Sequence, residues 1–336
     1  MDTNRRDTGS RFGLALAALA VASVAWSGAS ADPTPMPRNL RPGVWLISGG
    51  IEPGRQPDGN SVIFEAPDGL IVMDTGRHEW HRQAIHDFAS ARGRKVAAVV
   101  NSHWHLDHVS GNPGLRAAYP QLRVYASDAI KDALAGFLAA SARDAAGYLD
   151  DPKIPESMRA DIRADLATIQ NGAELLPDVV IRTSSVMTLA GRRLRINLAA
   201  NAATAGDVWI YDERGKVAAV GDLVTLPAPF LDTACPDGWQ AALAQVAATR
   251  FEILIPGHGS PMSPAQFSSY RQEFGLFIAC SNSSDAKAEC AARWSQGVGP
   301  LMGQDPREIQ LAHGMAEYYV DMLRANGGRS KYCEHD

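Results

Sequence analysis

The run Asn101-Ser102-His103-Trp104-His105-Leu106-Asp107-His108 brings three of the chain's nine histidines and an aspartate together between positions 103 and 108. It follows Val96-Ala97-Ala98-Val99-Val100, an apolar stretch that reads as a buried strand. His103, His105 and Asp107 alternate, and on an extended segment alternate side chains share one side. His108 follows directly and would turn toward a neighbouring point. Imidazoles and a carboxylate converging in this way are the ligands that zinc takes. The plain alternative is a solvated polar loop, which leaves the alternation unexplained. Trp104 and Leu106, interleaved with these residues, would point the other way and pack.

Further short motifs follow in a definite order. Val72-Met73-Asp74-Thr75-Gly76 reads as a strand ending in an acid. Gly206-Asp207 precedes an apolar run, and Gly221-Asp222 and Pro256-Gly257-His258-Gly259 come later. Each is weak alone; their order around a specific H-x-H-x-D-H carries the weight. Together they resemble the metallo-β-lactamase superfamily over Val44 to about Pro261. The resemblance implies an α/β fold, the four-layer αβ/βα sandwich, with metals at one edge between its sheets. It implies that His103 and His105 bind a first zinc and that Asp107, His108 and His258 bind a second. Asp222 would bridge the two, one oxygen to each. Asp107 would also be the catalytic residue, orienting the nucleophile and taking up its proton. Asp74 either hydrogen-bonds beside the histidine-rich loop without touching metal or caps a turn after its strand.

One ligand departs from the family pattern. Asn201-Ala202-Ala203-Thr204-Ala205-Gly206-Asp207 stands where the family has H-T-x-G-D. Matching Thr204, Gly206 and Asp207 puts Ala203 at the histidine position, and a methyl group cannot bind metal. Asn201 offers a side-chain oxygen, a poor zinc ligand beside imidazole. One tight Zn2+ site and a second, weaker one are therefore expected. His78 and His81 follow the D-T-G segment and are either substitute ligands or part of a polar helix face. His86, on the same expected helix, is a surface or core residue, and His313 and His335 in the tail lack metal-type spacing.

A scaffold must bring positions 74, 103–108, 222 and 258 together. Short β-type runs cover Val44–Ile47, Ser61–Ala66 and Leu70–Asp74, the last two joined by the turn Pro67-Asp68-Gly69. A Pro-rich lead, Asp32–Pro42, precedes them. Glu79–Ala91 has helical spacing, Lys95–Asn101 and Leu122–Ala126 read as strands, and Ala-rich 128–170 reads as two or three helices. Strand patterning returns over Val179–Ala199, with a turn at Gly191, and over Asp207–Tyr211 and Lys216–Val220. A helix, Gly238–Thr249, and a strand, Phe251–Ile255, come before a mostly helical tail. Two β-rich halves, each followed by helix, suggest two packed sheets with helices outside. The expected division is a signal peptide over 1–31, a metallo-β-lactamase-like domain over 32–262 with a helical insertion at about 128–170, and a helical extension over 263–336. The insertion either caps the site or is plain structure. Trp80, Trp209, Trp239 and Phe230 line a pocket or fill a core; sequence does not separate the two.

With 336 residues, 46% hydrophobic and 21% charged, the composition is globular, which excludes a fibrous or wholly disordered chain. Acidic residues outnumber basic ones, 37 to 32, so a nucleic-acid partner has no electrostatic support. Arg5, Arg6 and Arg11, the apolar run Gly13–Trp26 and Ala29-Ser30-Ala31 read as a cleaved secretory signal, with Asp32 the first mature residue. The alternative is an N-terminal anchor, although the run is too short to span a bilayer. Export favours disulfides among the four cysteines, Cys280 with Cys290 and Cys235 with Cys333, over four free thiols.

The expected protein is a periplasmic or secreted zinc hydrolase of a small-molecule acyl substrate: lactam, ester or thioester. No membrane anchor remains after cleavage, and the oligomeric state is open. An aspartate at the bridging position resembles the glyoxalase II-type and broad hydrolase branches more than the typical β-lactamases, which place cysteine or serine there. A glutathione thioester suits poorly outside the cytoplasm. The alternative, raised by Ala203, is a catalytically weakened member that binds a ligand or partner.

Overall fold

The structure, a computed structural model, describes residues 35–333. The expected signal, its cleavage point before Asp32 and His335 lie outside the described residues. Seven strands form the first sheet in chain order: β1 (Arg38–Arg41), β2 (Val44–Ile47), β3 (Ser61–Ala66), β4 (Gly69–Met73), β5 (Val96–Val100), β6 (Arg123–Ala126) and β7 (Val179–Val180). Pairing is antiparallel from β1 to β4 and parallel from β4 to β7. The second sheet holds β8 (Ser185–Leu189), β9 (Arg192–Ala200), β10 (Gly206–Asp212), β11 (Val217–Ala219) and β12 (Ile253–Ile255), in the order β12-β11-β10-β9-β8.

Every residue of β4 is buried, because the strand is covered on both faces. Alternation decides which face each side chain serves. Ile71 and Met73 enter the core between the sheets, where Leu194, Ile196, Val208 and Ile210 meet them. Leu70 and Val72 face outward onto Ile85 and Phe88 of α1 (Glu79–Ala91) and Leu115 of α3 (Asn112–Ala118). Trp209 and Leu254 face the other way, onto Trp239 of α7 (Pro236–Ala247) and onto α8 (Pro264–Ser281), α9 (Lys287–Val298) and α10 (Pro306–Ala325). Trp209 and Trp239 are thus core residues. The tail starts at a capping box: Ser263 accepts from the Gln266 backbone, and the Gln266 side chain accepts from the Ser263 N–H.

The αβ/βα arrangement is the expected one. The strands β4, β5, β11 and β12 end at the same edge and deliver residues 74, 101–108, 221–222 and 256–258 to it. Three helices fill the 128–170 stretch: α4 (Ala129–Ala135), α5 (Phe137–Tyr148) and α6 (Glu156–Gln170). Two differences stand out. The Pro-rich lead contains β1, an edge strand with an irregular register, which is where prolines are tolerated. A short helix, α2 (Leu106–Val109), and then α3 follow β5.

Cys235 pairs with Cys333, and Cys280 with Cys290. Two disulfides suggest a non-cytosolic protein. No helix among the described residues is long and apolar enough to cross a membrane. The pairs span 98 and 10 residues. Loop-closure entropy grows with the logarithm of that span, so Cys235→Ser with Cys333→Ser should destabilise by about 2 kcal/mol more than Cys280→Ser with Cys290→Ser. Urea unfolding of both double variants checks this; equal losses would refute it.

Candidate metal centre

Asp74 directly follows β4 with a left-handed φ of 62°. Its carboxylate accepts from the Ser102 N–H and the Ser102 hydroxyl, each at 2.6 Å, and stands 2.9 Å from His108 Nδ1. It therefore fixes both ends of the histidine-rich loop and leaves His108 Nε2 free to face inward. That is the role beside the loop, not a mere turn cap. The loop is not extended as the alternation suggests. It bends at 102–104, and α2 begins at Leu106, so Asp107 and His108 sit in a helical turn. Convergence comes from the bend followed by the helix. Trp104 and Leu106 are buried with Ile130 and Leu138 of the insertion, away from the ligand atoms.

His103 Nε2 lies 2.8 Å from His105 Nδ1 and 3.7 Å from Asp222 Oδ2. His258 Nε2 lies 3.0 Å from Asp107 Oδ2 and 3.3 Å from His108 Nε2. Asp222 Oδ1 is 3.2 Å from His108 Nε2 and 3.6 Å from His258 Nε2. Two triads meet the geometry of a metal site, His103–His108–Asp222 and Asp107–His108–His258, with ligand atoms within 4.8 Å of one another. Five of the six sequence-derived residues belong to these triads; His105 belongs to neither but lies beside them, with Nδ1 2.8 Å from His103 Nε2. Buried Asp222 Oδ1 has no aligned hydrogen-bond donor, an orphaned acceptor that a cation would satisfy. Glycine is needed at two places here. A Cβ on Gly59 would stand 2.4 Å from the His108 ring, and one on Gly257 1.9 Å from Asp222 Oδ1.

Carboxylates and imidazoles face one another closely in this pocket. Burial alone would raise the Asp107 and Asp222 carboxyls. His108 and His258 outweigh it, and both carboxyls lie below the ordinary range. Burial would likewise lower His108 and His258, but Asp222 and Asp107 raise both above the ordinary imidazole value. Burial pushes His103 well down and His105 down to about 4. The two carboxylates favour positive charge beside them. A divalent cation would supply that charge and take the imidazoles as neutral ligands, so the donor set fits one.

Ala203 is buried and offers no ligand, and its carbonyl accepts from the Thr233 hydroxyl at 2.9 Å. That hydroxyl oxygen is 3.1 Å from His105 Nε2, which holds the ring with Nδ1 toward His103. Asn201 occupies a left-handed turn position and belongs to neither triad. Phe230 packs edge-on against His105 at 4.8 Å, and Phe137 of α5 lies 6.4 Å from the same ring. The insertion therefore reaches the site.

His78 and His81 belong to neither triad. His81 Nε2 is 2.8 Å from the Ser61 hydroxyl. His78 has Nδ1 2.6 Å from Asp58 and Nε2 3.2 Å from Asp161 of α6, and its ring stacks on Trp80. Sequence reasoning missed Thr233, Asp58, Asp161 and Arg77. The one local hint was Arg77 directly after D-T-G; the others are partnered across long separations. Burial lowers the His78 pKa, but its bonds to Asp161 and Asp58 more than offset this and raise it. Burial would raise both carboxyls, yet they end below their usual range, where His78 holds them. The histidine's share of stability is full below its unfolded value, near 6.5, and fades as pH rises through the folded one. The carboxylates' share is lost as pH falls below their unfolded range, near 4. His78→Gln should therefore cost about 1.5–3 kcal/mol near pH 5.5 and clearly less at pH 9. Denaturant midpoints at the two pH values check it; a cost that grows with pH would contradict the assignment.

The model of the metallo-beta-lactamase superfamily matches residues 54–258. A linear primary-alkylsulfatase of Pseudomonas sp. (strain ATCC 19151) is 25% identical over 221 residues, 60% of this chain and 41% of that protein. An atrochrysone carboxyl ACP thioesterase of Aspergillus fumigatus is 32% identical over 87 residues, 25% of this chain and 27% of that protein. The solved stereoselective inverting sec-alkylsulfatase Pisa1 from Pseudomonas sp. superposes with a TM-score of 0.58 at 19% identity, covering 86% of this chain and 50% of that one. The chain thus spans half or less of the length of these relatives, and the structural likeness speaks to fold alone. With the family model covering more than half of the chain and the metal-type cluster at the expected sheet edge, the chain belongs to the metallo-beta-lactamase superfamily.

Proposed function

We propose that this chain is an exported zinc-dependent hydrolase of small-molecule acyl compounds, esters, thioesters or lactams. The observation that carries the reading is the convergence of two triads, sharing His108, at one sheet edge. His103 and His105 would hold one zinc, Asp107, His108 and His258 the other. Asp222 turns Oδ2 toward His103 and Oδ1 toward His108 and His258, the orientation that a bridging carboxylate requires. Zinc, when bound, supplies Lewis acidity that polarises a substrate oxygen and acidifies water. Asp107 would also orient the attacking water and take up its proton. Asp74 keeps His108 Nδ1 occupied, and Thr233 does the same for His105 Nε2, so each ring presents one nitrogen inward. Phe230 and Phe137 give His105 an apolar flank that limits water. The two disulfides support the exported location.

A second reading, hydrolysis of sulfate esters, is favoured by the match to an alkylsulfatase over 60% of this chain. The test is turnover of p-nitrophenyl acetate, acetylthiocholine, nitrocefin and dodecyl sulfate by zinc-loaded and chelator-stripped protein. Acyl turnover that disappears on stripping and returns with zinc supports the first reading. Turnover of the sulfate ester alone transfers support to the second. Zinc bound with no turnover of any of the four leaves a binding protein.

A further inference from the structure

We propose that Arg77 is a positioning residue, locked by Asp165 of the helical insertion, that sets the Asp107 carboxylate for the second metal position. The inference rests on the metal-binding part of the reading above. Asp107 divides its two oxygens. Oδ2 faces His258 and His108, at 3.0 and 3.6 Å from their Nε2 atoms. Oδ1 faces Arg77 Nη2 at 3.7 Å. The guanidinium is held on its other sides. Nη1 reaches Asp165 Oδ2 at 2.5 Å, and Nε donates to the Pro57 carbonyl at 3.0 Å. The Arg77 backbone is fixed as well, since its N–H and that of His78 both donate to Asp58 Oδ1.

All three side chains of the Asp165–Arg77–Asp107 chain are largely buried, with exposures of 15%, 11% and 10%. Charge interactions are therefore weakly screened there. Asp161 lies one turn before Asp165 on α6 and takes Arg55 through a bidentate contact, at 2.7 to 3.1 Å, together with His78. The insertion helix is thus already docked by Asp161. Asp165 does something further: it points a planar, always-charged fork at the outer oxygen of a metal-type carboxylate. A freely rotating carboxylate would offer either oxygen, or both, to a cation. With Oδ1 facing Arg77, Oδ2 alone faces inward. A lysine could keep the charge but not three directed contacts at once.

The test uses the full exported protein, stripped of metal and titrated with Zn2+ against a chelating indicator and with Co2+ by visible absorption. Arg77→Met should weaken the second site at least about 10-fold, the loss typical of an altered neighbour to a metal ligand. Its cobalt spectrum should change, because the carboxylate can then bind through both oxygens. Arg77→Lys should recover part of the affinity, and Asp165→Asn should lie between Arg77→Met and the natural protein. Unchanged affinity and spectrum in Arg77→Met overturn the proposal. So does an equal loss at both sites with no recovery by lysine, which marks a merely structural residue. If Arg77→Met fails to fold, unchanged affinity and spectrum in both Arg77→Lys and Asp165→Asn overturn it. Failure of the natural protein to bind either metal overturns the underlying metal reading and this proposal with it. Tight metal binding that is indifferent to Arg77 overturns the proposal alone.

Discussion

Asp107→Ala and His258→Ala are each expected to empty the second metal position and to lower zinc-dependent hydrolysis by more than about 100-fold, since even neighbours of ligands cost 10–100-fold in affinity or activity. The two residues come from different sheets. Asp107 lies in the turn after β5 and His258 in the loop after β12, yet Oδ2 and Nε2 are 3.0 Å apart. Removing either leaves two ligands of the triad and a shared oxygen of Asp222. The Asp107 change also removes one of the two acids that raise the pKa of His108 and His258. His78→Ala makes the control. Both His78 ring nitrogens face carboxylates, so that variant should lose stability but keep its zinc. Metal analysis after dialysis against buffered zinc separates the outcomes. Full zinc retention by His258→Ala, or zinc loss in His78→Ala equal to that in Asp107→Ala, would remove the ligand assignment.

The residues bearing on this prediction differ in how legible they were. The β3–β4 hairpin, α1 and β5 followed directly from turn chemistry and apolar period, because those signals are local. The candidate ligands were legible because a short, specific motif carried most of them. Their mode of convergence was not. Alternation suggested an extended segment, but the loop bends at 102–104 and enters α2, since Asp74 captures the Ser102 N–H and His108 Nδ1 from a different strand. Thr233 and Arg77 left little trace for a related reason. Thr233 meets His105 across 128 residues, and Arg77 meets Asp165 across 88. Such pairings exist only once the sheets and the insertion have packed, and no periodicity encodes them.

Ala203 should make the two metal positions unequal, and Ala203→His should reduce the difference. On the proposed assignment the second position would have Asp107, His108 and His258 plus one oxygen of Asp222. The first would have His103, His105 and the other oxygen, one protein ligand fewer. Zinc titration of the natural protein should give a tight first equivalent and a second at least about 10-fold weaker, on the scale by which single changes around zinc alter affinity. The packing shows how the loss is tolerated. Ala202 and Ala203 are fully buried, and Thr233 spans the Ala203 carbonyl and His105 Nε2, so His105 stays oriented although its neighbour offers no imidazole. The same packing limits the gain. A histidine introduced at this buried position must displace neighbouring side chains, and overpacking costs about 1–3 kcal/mol. Ala203→His should therefore lower the unfolding midpoint of stripped protein while raising first-site affinity by about 10-fold. The stability loss should vanish when zinc is in excess, because ligand binding to the folded state repays it. Two equally tight sites in the natural protein, unchanged by Ala203→His, would mean that another donor already completes the first position.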